Sequence, residues 1–483
     1  MEEQNQKKSL NRRTFIRNTS IAAAGFYIVP RHVLGRGFTA PSDKLTIASV
    51  GAGGKGGDDI QHFYKSGKAN IAFLCDVDDR QSVGSRKLLP AAKYYHDWRE
   101  MFDKESGNFD AVSVSIPDHN HAIVALNAMK MGKHVYVQKP LTHDIFEARM
   151  LTEAAKKYRV VTQMGDQGAS GDGVRQLMEW YHAGIIGRVH TVNCFTNRPV
   201  WPQGIPWPTV HPPIPAELNW DLWLGTAQEH DYIDNLVPFN WRGWWDFGTG
   251  ALGDMGCHII GPVFKVLSLE YPTAVTCSCS TVYDGIFKQA YRPDGGPVSS
   301  SVHFKYKDKH GNEVKLNWMD GGIQPERPRE LKPNEMMGGP GDPGNGVIFE
   351  GTKGKMMCST YADNPQLLPT SRTNKVHVRK TIPRIPGGAE GHYAQWIEAS
   401  LAGYKHGKTD SPFVGYAGPL TECILMGNLA IRSFNYRDPN GKSYPGRGIT
   451  LQWDGPKMQV TNFDPANQFV KRTYREGWPA LTL

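Results

Sequence analysis

The sequence has few cysteines, and they form no recognisable framework. Seven are scattered over 483 residues, at positions 75, 194, 257, 277, 279, 358 and 423. Their number is odd, no C-x-x-C pair occurs, and no spacing matches a metal site, so a disulfide scaffold and a zinc fold are not predicted. We expect buried, unreactive thiols, because free cysteine usually behaves as a small apolar residue.

Long hydrophobic runs are also missing. The apolar stretch Ile21–Val29 is far short of the roughly 18 residues that a membrane-spanning helix needs. It follows the basic segment Arg12-Arg13-Thr14-Phe15 and ends in small residues up to Ala40, which is the layout of a secretory signal. Adjacent arginines before Phe indicate the twin-arginine route. We predict that residues 1–40 are a twin-arginine signal peptide, that the protein is periplasmic or otherwise extracytoplasmic, and that no stable membrane span remains after signal removal.

An excess of positive charge is lacking outside this leader. The formal net charge is +8, but residues 1–40 hold seven Lys or Arg against two Glu, leaving 48 basic and 45 acidic residues elsewhere. A balanced body gives no reason to bind phosphate backbones, so nucleic acid is not an expected partner. With 39% hydrophobic and 21% charged residues, the composition is that of a globular protein, and the length favours two or three domains.

Short apolar runs alternate with helical patterns over residues 41–165. This alternation predicts an α/β domain of Rossmann type, with a parallel sheet covered on both faces. Asp118 is expected to cap the helix that Gly132 ends. The predicted strands are Leu45–Val50, Asn70–Val77, Asp110–Ile116, His134–Val137 and Val160–Met164, and a further helix is predicted over Thr142–Tyr158.

In residues 166–435 strand-like runs and helical patterns no longer alternate regularly. This pattern predicts an α+β domain with a large, mostly antiparallel open sheet and long loops. Strand-like runs occur at Ala274–Ser280, Val302–Tyr306 and Val347–Glu350, and helical patterns at His392–Leu401 and Leu420–Phe434. Residues 436–483 form a C-terminal extension whose structure the sequence does not predict.

A glycine loop follows the first strand. Gly51, Gly53, Gly54 and Gly56 fit G-x-G-x-x-G, and Asp76 closes the second strand 20 residues after the last of them. In this context the glycines let a pyrophosphate approach the helix start, and the carboxylate reaches the adenosine ribose. Asp76 would repel a 2′-phosphate, so NAD is favoured over NADP, although the nearby Arg80 softens that preference. The alternative is a glycine-rich turn with a surface aspartate.

Four further motifs occur in order: Pro117-x-x-x-His121, Gly132-Lys133-His134-Val135, Gln138-Lys139-Pro140 and Gly250-x-x-x-Asp254-x-x-x-His258. Together with segments 220–225 and 349–354, this series resembles the glucose–fructose oxidoreductase/inositol dehydrogenase (Gfo/Idh/MocA) family over roughly residues 44–435. The resemblance implies hydride transfer between a nicotinamide cofactor and a secondary hydroxyl. It also implies roles for individual residues: Lys139 as electrophilic partner, His258 as base or acid, Asp254 as its orienter and a substrate contact, and Pro117, Asn120, His121 and Lys139 near the cofactor.

The catalytic residues also make chemical sense without the resemblance. Asp254 and His258 are four residues apart on a helix and share one face, where a carboxylate orients an imidazole. Lys139 falls at the carboxyl edge of the parallel sheet, where ligands of such sheets bind. The alternatives are a surface ion pair and a solvated lysine. Gln138 departs from the family's usual Glu, and loss of that negative charge should ease deprotonation of Lys139.

Two aromatic or histidine-rich segments allow more than one interpretation. The pair His119 and His121 could suggest a metal, but no clustered third ligand follows, and no metal is predicted. Seven tryptophans fall within 45 residues, and either bind sugar rings or pack in a core or oligomer interface. Trp241 and Arg242 are the predicted substrate contacts there, and we expect a homo-oligomer. The seven are Trp201, Trp207, Trp220, Trp223, Trp241, Trp244 and Trp245.

The leading functional hypothesis is an NAD(P)-dependent oxidoreductase acting on a sugar, cyclitol or glycoside. Since free NAD is scarce outside the cytoplasm and the twin-arginine route carries folded proteins, the cofactor is expected to be tightly bound. A redox-neutral glycosidase, which oxidises, eliminates and re-reduces, would use the same residues, but the His-Gly-Leu-Gly type of segment found in some exported relatives is absent. The third option is a non-catalytic protein that binds a sugar or the cofactor.

Overall fold

The computed structural model describes residues 43–308 and 310–483, so the predicted signal peptide lies outside the described residues. Six parallel strands form the first sheet, in the order β3-β2-β1-β4-β5-β6. The strands are β1 (Leu45–Val50), β2 (Ala69–Cys75), β3 (Lys93–Tyr95), β4 (Ala111–Val114), β5 (His134–Gln138) and β6 (Thr162–Gly165). The helices between them are α1 (Gly54–Lys65), α2 (Asp79–Leu88), α3 (Trp98–Glu105), α4 (His121–Lys130) and α5 (Ile145–Tyr158).

The strands of this sheet are apolar because both faces are buried. Ile47 belongs to one hydrophobic cluster and its neighbour Ala48 to the other, and both are fully buried. Such double burial requires near-continuous apolar runs, which is why the strands could be predicted. The Rossmann-type α/β prediction is confirmed.

The start of α4 differs from the expected one. Asp118 does not cap it; the carboxylate instead accepts a hydrogen bond from Thr249 Oγ1 at 2.7 Å. A 3₁₀ turn over Asp118–Asn120 precedes the helix. The capping prediction failed because a distant hydroxyl competes for the carboxylate, and such a partner is invisible in local sequence.

Nine strands form the second sheet, in the order β15-β14-β13-β7-β12-β11-β8-β16-β17. All of its neighbouring pairs are antiparallel except β7 with β12, which confirms the prediction of a mostly antiparallel open sheet. The strands are β7 (Val189–Phe195), β8 (Ala274–Cys279), the separate hairpin β9 (Tyr283–Gly285) and β10 (Lys288–Gln289), β11 (Ser300–Lys307), β12 (Glu313–Met319), β13 (Gly346–Gly351), β14 (Gly354–Cys358), β15 (Gln366–Leu368), β16 (Leu451–Asp454) and β17 (Gln459–Val460).

Five helices accompany this part of the chain. They are α6 (Asp172–His182), α7 (Trp220–Leu224), α8 (Gly250–Leu267), α9 (His392–Ala402) and α10 (Gly418–Asn435). Helices α8 and α10 pack on each other and on strands of the nine-stranded sheet, whereas α9 returns to pack on α1 and β1. One hydrophobic cluster contains residues of both sheets, such as Val112 and Val302, so the two sheets share a core.

The C-terminal residues complete this core, although the sequence predicted no structure for them. Strands β16 and β17 extend the edge of the second sheet beyond β8. Among the described helices none is both long and apolar enough to cross a membrane.

Candidate active site

An open groove runs along the carboxyl ends of β1, β2, β4 and β5. Its lining extends from the glycine loop after β1 to Asp254 in the second turn of α8. Ligands of open parallel sheets bind at this edge because the loops leave a crevice there. The groove is therefore the place to test whether a dinucleotide fits.

The glycine loop has the geometry of a phosphate cradle. A Cβ atom on Gly51 would lie 2.2 Å from the carbonyl oxygen of Ser115, and one on Gly56 would lie 2.3 Å from the oxygen of Gly51. Side chains are therefore excluded at both positions, and φ of Gly51 is +89°. Gly54, which begins α1, faces open space, and no side chain caps the helix. The free N–H groups of this helix start fit a pyrophosphate.

Asp76 is positioned beside that cradle. Its carboxylate accepts hydrogen bonds from the backbone N–H groups of Ala52 at 2.8 Å and Asp78 at 3.0 Å. Burial raises the pKa of Asp76 to about 6, although the N–H bonds oppose the shift. Arg80, which could have received a 2′-phosphate, instead donates to Asp78 from Nε at 2.8 Å and from Nη2 at 2.7 Å.

Lys139 and Asp254 meet at the other end of the groove. Lys139 Nζ donates to Asp254 Oδ1 at 2.9 Å and to the Asp254 carbonyl oxygen at 2.7 Å. Arg242 Nε donates to the same Oδ1 at 3.2 Å, and its guanidinium lies 4.4 Å from the centre of the Trp241 ring. Burial alone would raise the pKa of Asp254, but Lys139 and Arg242 outweigh it and lower the pKa to about 2. Asp254 is thus an anion that two cations share.

His258 lies one turn further along α8, but its partner is not Asp254. Nδ1 of His258 is 3.2 Å from Oδ1 of Asp166, and Tyr416 donates to the other Asp166 oxygen at 2.8 Å. The expected orienting role of Asp254 therefore belongs to Asp166 in this structure. The reason is geometric: Asp254 is held by Lys139 and Arg242, and Asp166 follows directly after β6.

The ionisation of His258 follows from its surroundings. The side chain is 4% exposed and lies outside the groove lining, beneath the ring of Tyr361 at a centroid distance of 4.4 Å. Burial lowers the pKa of His258, while Asp166 opposes the shift. Among the described residues, Nε2 of His258 has no hydrogen-bond partner, so a neutral ring protonated on Nδ1 would leave the lone pair of Nε2 free.

The loop that carries Tyr361 is strained. Tyr361 has φ +64° and Ala362 has φ +62°, a left-handed region that side chains rarely adopt. Close approach to a glycine-rich segment maintains it, since a Cβ on Gly168 would lie 2.8 Å from Tyr361 Cα, and one on Gly173 would lie 2.0 Å from the Ala362 oxygen. The loop holds the Tyr361 ring against His258.

A buried polar chain links the glycine loop to Lys139. Asp59, on α1, accepts hydrogen bonds from Ser115 Oγ at 2.7 Å and Gln138 Nε2 at 2.8 Å, and Lys55 Nζ lies 3.0 Å from its other oxygen. The side-chain oxygen Oε1 of Gln138 accepts a hydrogen bond from the Lys139 backbone N–H at 3.3 Å. The amide at position 138 thus carries the hydrogen bonding between the Asp59 carboxylate and Lys139.

Some of the residues that follow β4 line the groove, and others are buried in the core. Pro117, Asp118 and Asn120 line the groove, and burial raises the pKa of Asp118 to about 7 against the opposing Thr249 hydrogen bond. His121, an expected cofactor contact, is instead 1% exposed, with its ring nitrogens 2.9 Å from the oxygen of Pro140 and 2.7 Å from that of Ile116.

His119 is also buried, and its ring contacts neighbouring parts of the protein. Its ring nitrogens face the carbonyl oxygens of Phe247 and Trp223, and burial lowers its pKa to about 3. No group of three potential metal ligands occurs within residues 43–308 and 310–483.

Most of the seven clustered tryptophans pack in the core. Trp223 and Trp241 line the groove, while Trp201, Trp220, Trp244 and Trp245 are buried elsewhere and Trp207 packs against Trp244. Trp241 and Arg242 lie at the end of the groove near Lys139.

Sequence reasoning missed three residues of the site. Asp166 had a usable signal, because it follows the predicted strand at the carboxyl edge where Lys139 was recognised. Tyr361 and Trp478 had none, since they come from irregular segments whose contacts are made only in the folded chain.

Comparison with known proteins identifies a family whose two domain models match this chain. Residues 45–166 match the model of an oxidoreductase family with an NAD-binding Rossmann fold, Gfo/Idh/MocA, and residues 186–308 match the α/β C-terminal domain of the same family. The two segments together cover about half of the chain.

Individual relatives are distant. A "Glycosyl hydrolase family 109 protein" of Shewanella pealeana is 24% identical over 287 residues, which is 54% of this chain and 56% of that protein. The chain spans about half, or less, of the length of the curated relatives that it matches.

Two solved structures share the fold at low identity. The WlbA dehydrogenase of Bordetella pertussis, in complex with NADH and UDP-GlcNAcA, has a TM-score of 0.55 at 15% identity, covering 85% of this chain and 99% of its own. An inositol dehydrogenase homolog of Azotobacter vinelandii, complexed with NADH and myo-inositol, has a TM-score of 0.52 at 14% identity, covering 85% and 98%.

Proposed function

This chain belongs to the Gfo/Idh/MocA oxidoreductase family, and from that premise we propose that it transfers hydride between NAD and a secondary hydroxyl of a sugar, cyclitol or glycoside. The observation that carries the proposal is the bond of Lys139 Nζ to Asp254, 2.9 Å long, at the end of a groove that begins in a glycine cradle. An ammonium at this point stabilises negative charge on a reacting oxygen.

The residues present fit the cofactor. The cradle of Gly51 and Gly56 and the free N–H groups at the start of α1 would hold the pyrophosphate, and Asp76 would accept from the adenosine ribose. When bound, NAD supplies the acceptor or donor of hydride. Two observations favour NAD over NADP. The Asp76 carboxylate would repel a 2′-phosphate, and Arg80, which could have bound that phosphate, is paired with Asp78.

Two side chains of this protein would handle the proton. On oxidation of a secondary alcohol, the carbinol C–H bond gives up a hydride and the O–H bond gives up a proton. We assign His258 Nε2, one turn beyond Asp254 on α8, as the acceptor of that proton once a local movement of the covering Tyr361 ring opens the groove to it; Asp166 holds the ring through Nδ1, and burial favours the neutral ring. Lys139 donates a hydrogen bond to the same oxygen as negative charge develops on it. Asp254, ionised over the ordinary pH range, keeps Lys139 and Arg242 in place.

The substrate class is supported by the groove near Lys139. Trp241 offers a flat apolar face, and Arg242, Lys139 and Asp254 offer donors and acceptors for hydroxyl groups. An apolar face with converging polar groups suits a ring that carries C–H bonds on its face and hydroxyls at its edge.

A redox-neutral glycosidase is the second candidate, favoured by the likeness to the Shewanella protein. In that reaction a ring hydroxyl is first oxidised, the acidified neighbouring C–H gives up its proton as the aglycone is eliminated, water adds to the resulting double bond, and the hydride is finally returned to the ketone. The acid–base demands on Lys139 and His258 are the same, so the products must distinguish the two reactions.

The test is to purify the protein, identify any bound nucleotide, and offer free sugars and glycosides without added cofactor. A dehydrogenase reduces its bound NAD stoichiometrically and forms a keto-sugar, whereas a glycosidase releases aglycone with no net NADH. His258→Ala should lose activity at least a hundredfold in either case. Undiminished turnover by His258→Ala would refute the proposed site, and Tyr404→Ala, on an exposed side chain, serves as the control.

A further inference from the structure

One wall of the groove comes from the C-terminal extension. Trp478 lines the groove together with His96, Trp98 and Asp76. We propose that Trp478 forms a wall of the adenine subsite and that residues 472–478 clamp the adenosine half of the cofactor. The proposal rests on the proposed function only in that NAD must bind in this groove.

The position of Asp76 identifies this end of the groove. Its backbone N–H donates to the Tyr95 oxygen at 3.1 Å, so the end of β3 lies directly beside it. His96 follows, and Trp98 begins α3. With the pyrophosphate at the glycine loop and the ribose at Asp76, the adenine ring must extend beyond Asp76, away from the loop. His96, Trp98 and Trp478 are the aromatic side chains that line the groove there.

Trp478 is held at this end by its neighbours. Its ring centroid lies 6.5 Å from that of Trp98, and the Arg99 guanidinium lies 4.6 Å from the ring centre. The Trp478 backbone N–H donates to the Arg475 oxygen at 3.1 Å, which fixes a turn. The side chain is only partly buried, so part of the indole remains open to the groove. A flat ring in that position suits stacking on a purine.

Arg475 anchors this turn to the body of the protein. It is 7% exposed, and its guanidinium donates to Asp221 Oδ1 at 2.7 Å, to the Asp221 carbonyl at 3.0 Å and to the Gly225 carbonyl at 3.1 Å, with a further contact to Glu229. Hydrogen bonds from a buried guanidinium to a carboxylate and backbone carbonyls hold both segments in one register. The tail is therefore fixed to segment 221–229, which carries Leu222 and Trp223 of the groove lining.

A second anchor connects the tail with the first domain. Arg472 donates to Glu147 Oε1 at 2.9 Å and to Thr226 Oγ1 at 2.8 Å, and Tyr474 donates to the same Glu147 oxygen at 2.7 Å. Thr226 in turn donates its N–H to Asn120, a residue of the groove, at 3.0 Å. Because these contacts are made entirely within the protein, they hold the wall in one position, and such preorganisation favours tighter cofactor binding.

The expected magnitude follows from base stacking. Removal of an aromatic side chain that stacks on a base weakens binding by about tenfold. We therefore expect Trp478→Ala to raise the dissociation constant for NAD and for ADP-ribose by about tenfold, mainly through faster release. Trp478→Phe, which keeps a flat ring, should lose about threefold or less.

The experiment compares ligands that contain adenosine with one that does not. Isothermal titration of the full chain, stripped of nucleotide, is carried out with NAD, ADP-ribose, AMP and nicotinamide mononucleotide. For Trp478→Ala the three adenosine ligands should weaken in parallel while the mononucleotide is unaffected. Arg475→Ala should act in the same direction by releasing the turn, and Tyr404→Ala, whose side chain is 45% exposed, is the matched aromatic control.

Two results would overturn the proposal. One is that Trp478→Ala binds ADP-ribose within twofold of the parent protein; the other is that the mononucleotide weakens as much as ADP-ribose. Melting temperatures of all variants identify any general loss of folding, and Trp478→Phe provides a variant that retains the packing. Failure of the proposed catalysis is recognised separately, because these titrations require no sugar and no turnover.

Discussion

At the scale of single residues, the partner of His258 determines its pH behaviour. Burial lowers the pKa of His258, and Asp166, which accepts a hydrogen bond from Nδ1–H, opposes that shift. Oxidation needs neutral His258, so its rate should rise with pH through that pKa and then level off. Asp166→Asn removes the charge that raises the pKa, so the acid limb of kcat/KM should move to lower pH while kcat falls by about a hundredfold or more.

A matched control for this variant lies on the other oxygen of Asp166. Tyr416→Phe removes a hydrogen bond of 2.8 Å but keeps the carboxylate charge. We expect a modest loss of kcat. The acid side of the kcat/KM profile should stay where it is or move slightly to higher pH. An acid limb that stays in place in Asp166→Asn would show that His258 is not the base.

Asp76 should make cofactor binding depend on pH. Burial raises its pKa in the free protein to about 6, so it is protonated below that value and accepts hydrogen bonds from ribose less well. The dissociation constant for NAD should therefore rise as pH falls below about 6, by up to about tenfold per pH unit. In Asp76→Asn the constant should be higher at neutral pH and nearly independent of pH between 5 and 8, as titration would show.

The same carboxylate should select against NADP. Asp76→Ser removes the charge next to the ribose and should narrow the NAD-to-NADP affinity ratio by about tenfold or more. Asp79→Ser, which removes a more exposed neighbouring carboxylate paired with Arg86, is the control and should leave the ratio unchanged. Equal binding of both cofactors by the parent protein would contradict the assignment of Asp76.

At the scale of elements, the strained loop at Tyr361 and Ala362 packs closely against the glycine-rich segment that leads into α6, so a change in one displaces the other. A methyl group on Gly168 would lie 2.8 Å from Tyr361 Cα and must displace the loop. Gly168→Ala should cost about 1–3 kcal/mol of unfolding free energy and also reduce kcat, because Tyr361 then leaves His258. Gly84→Ala is the matched control, since its Cβ meets nothing within 4 Å on the exposed face of α2, and it should stabilise by about 0.5–1 kcal/mol. Chemical denaturation and turnover measure both effects.

The predictability of the elements follows from their burial. Strand β1 is buried along both faces and gives a continuous apolar run, whereas β3, Lys93–Tyr95, is partly exposed and gives no such run, so it was missed. Helix α9 was predicted within one residue, but its packing on α1 was not. Fully buried Trp396 contacts Phe63 there, and periodicity cannot indicate which distant surface covers such a side chain.

The residues of the candidate site also differ in how well the sequence alone could predict them. Lys139 and Asp254 belong to short motifs at the edge of a sheet and the start of a helix, and both could be named from sequence. Asp166 and His258 are separated by 92 residues, so their pairing has no local pattern. His121 shows the reverse error, because its motif matches while its ring is turned into the core.

At the scale of the whole molecule, the groove can form only when nearly the entire chain has folded. Its lining extends from Val50 to Trp478, and one hydrophobic core joins the two sheets. A nucleotide that binds in this groove therefore stabilises the folded chain as a whole, in proportion to the logarithm of its concentration over its dissociation constant. Folding and cofactor loading are thus expected to occur in the same compartment.

This requirement leads to a prediction about export, which we propose to proceed by the twin-arginine route. Because that route carries folded proteins, the chain should bind NAD in the cytoplasm and carry it outward. Replacing Arg12 and Arg13 by lysine should leave folded, NAD-loaded protein in the cytoplasm, whereas replacing Arg31 and Arg36, beyond the apolar stretch, should not. Cell fractionation with nucleotide analysis of each pool measures this. An exported pool that lacks NAD, or unchanged export of the Arg12/Arg13 variant, would contradict it, since a chain that crossed the membrane unfolded would have to find its cofactor where little is present.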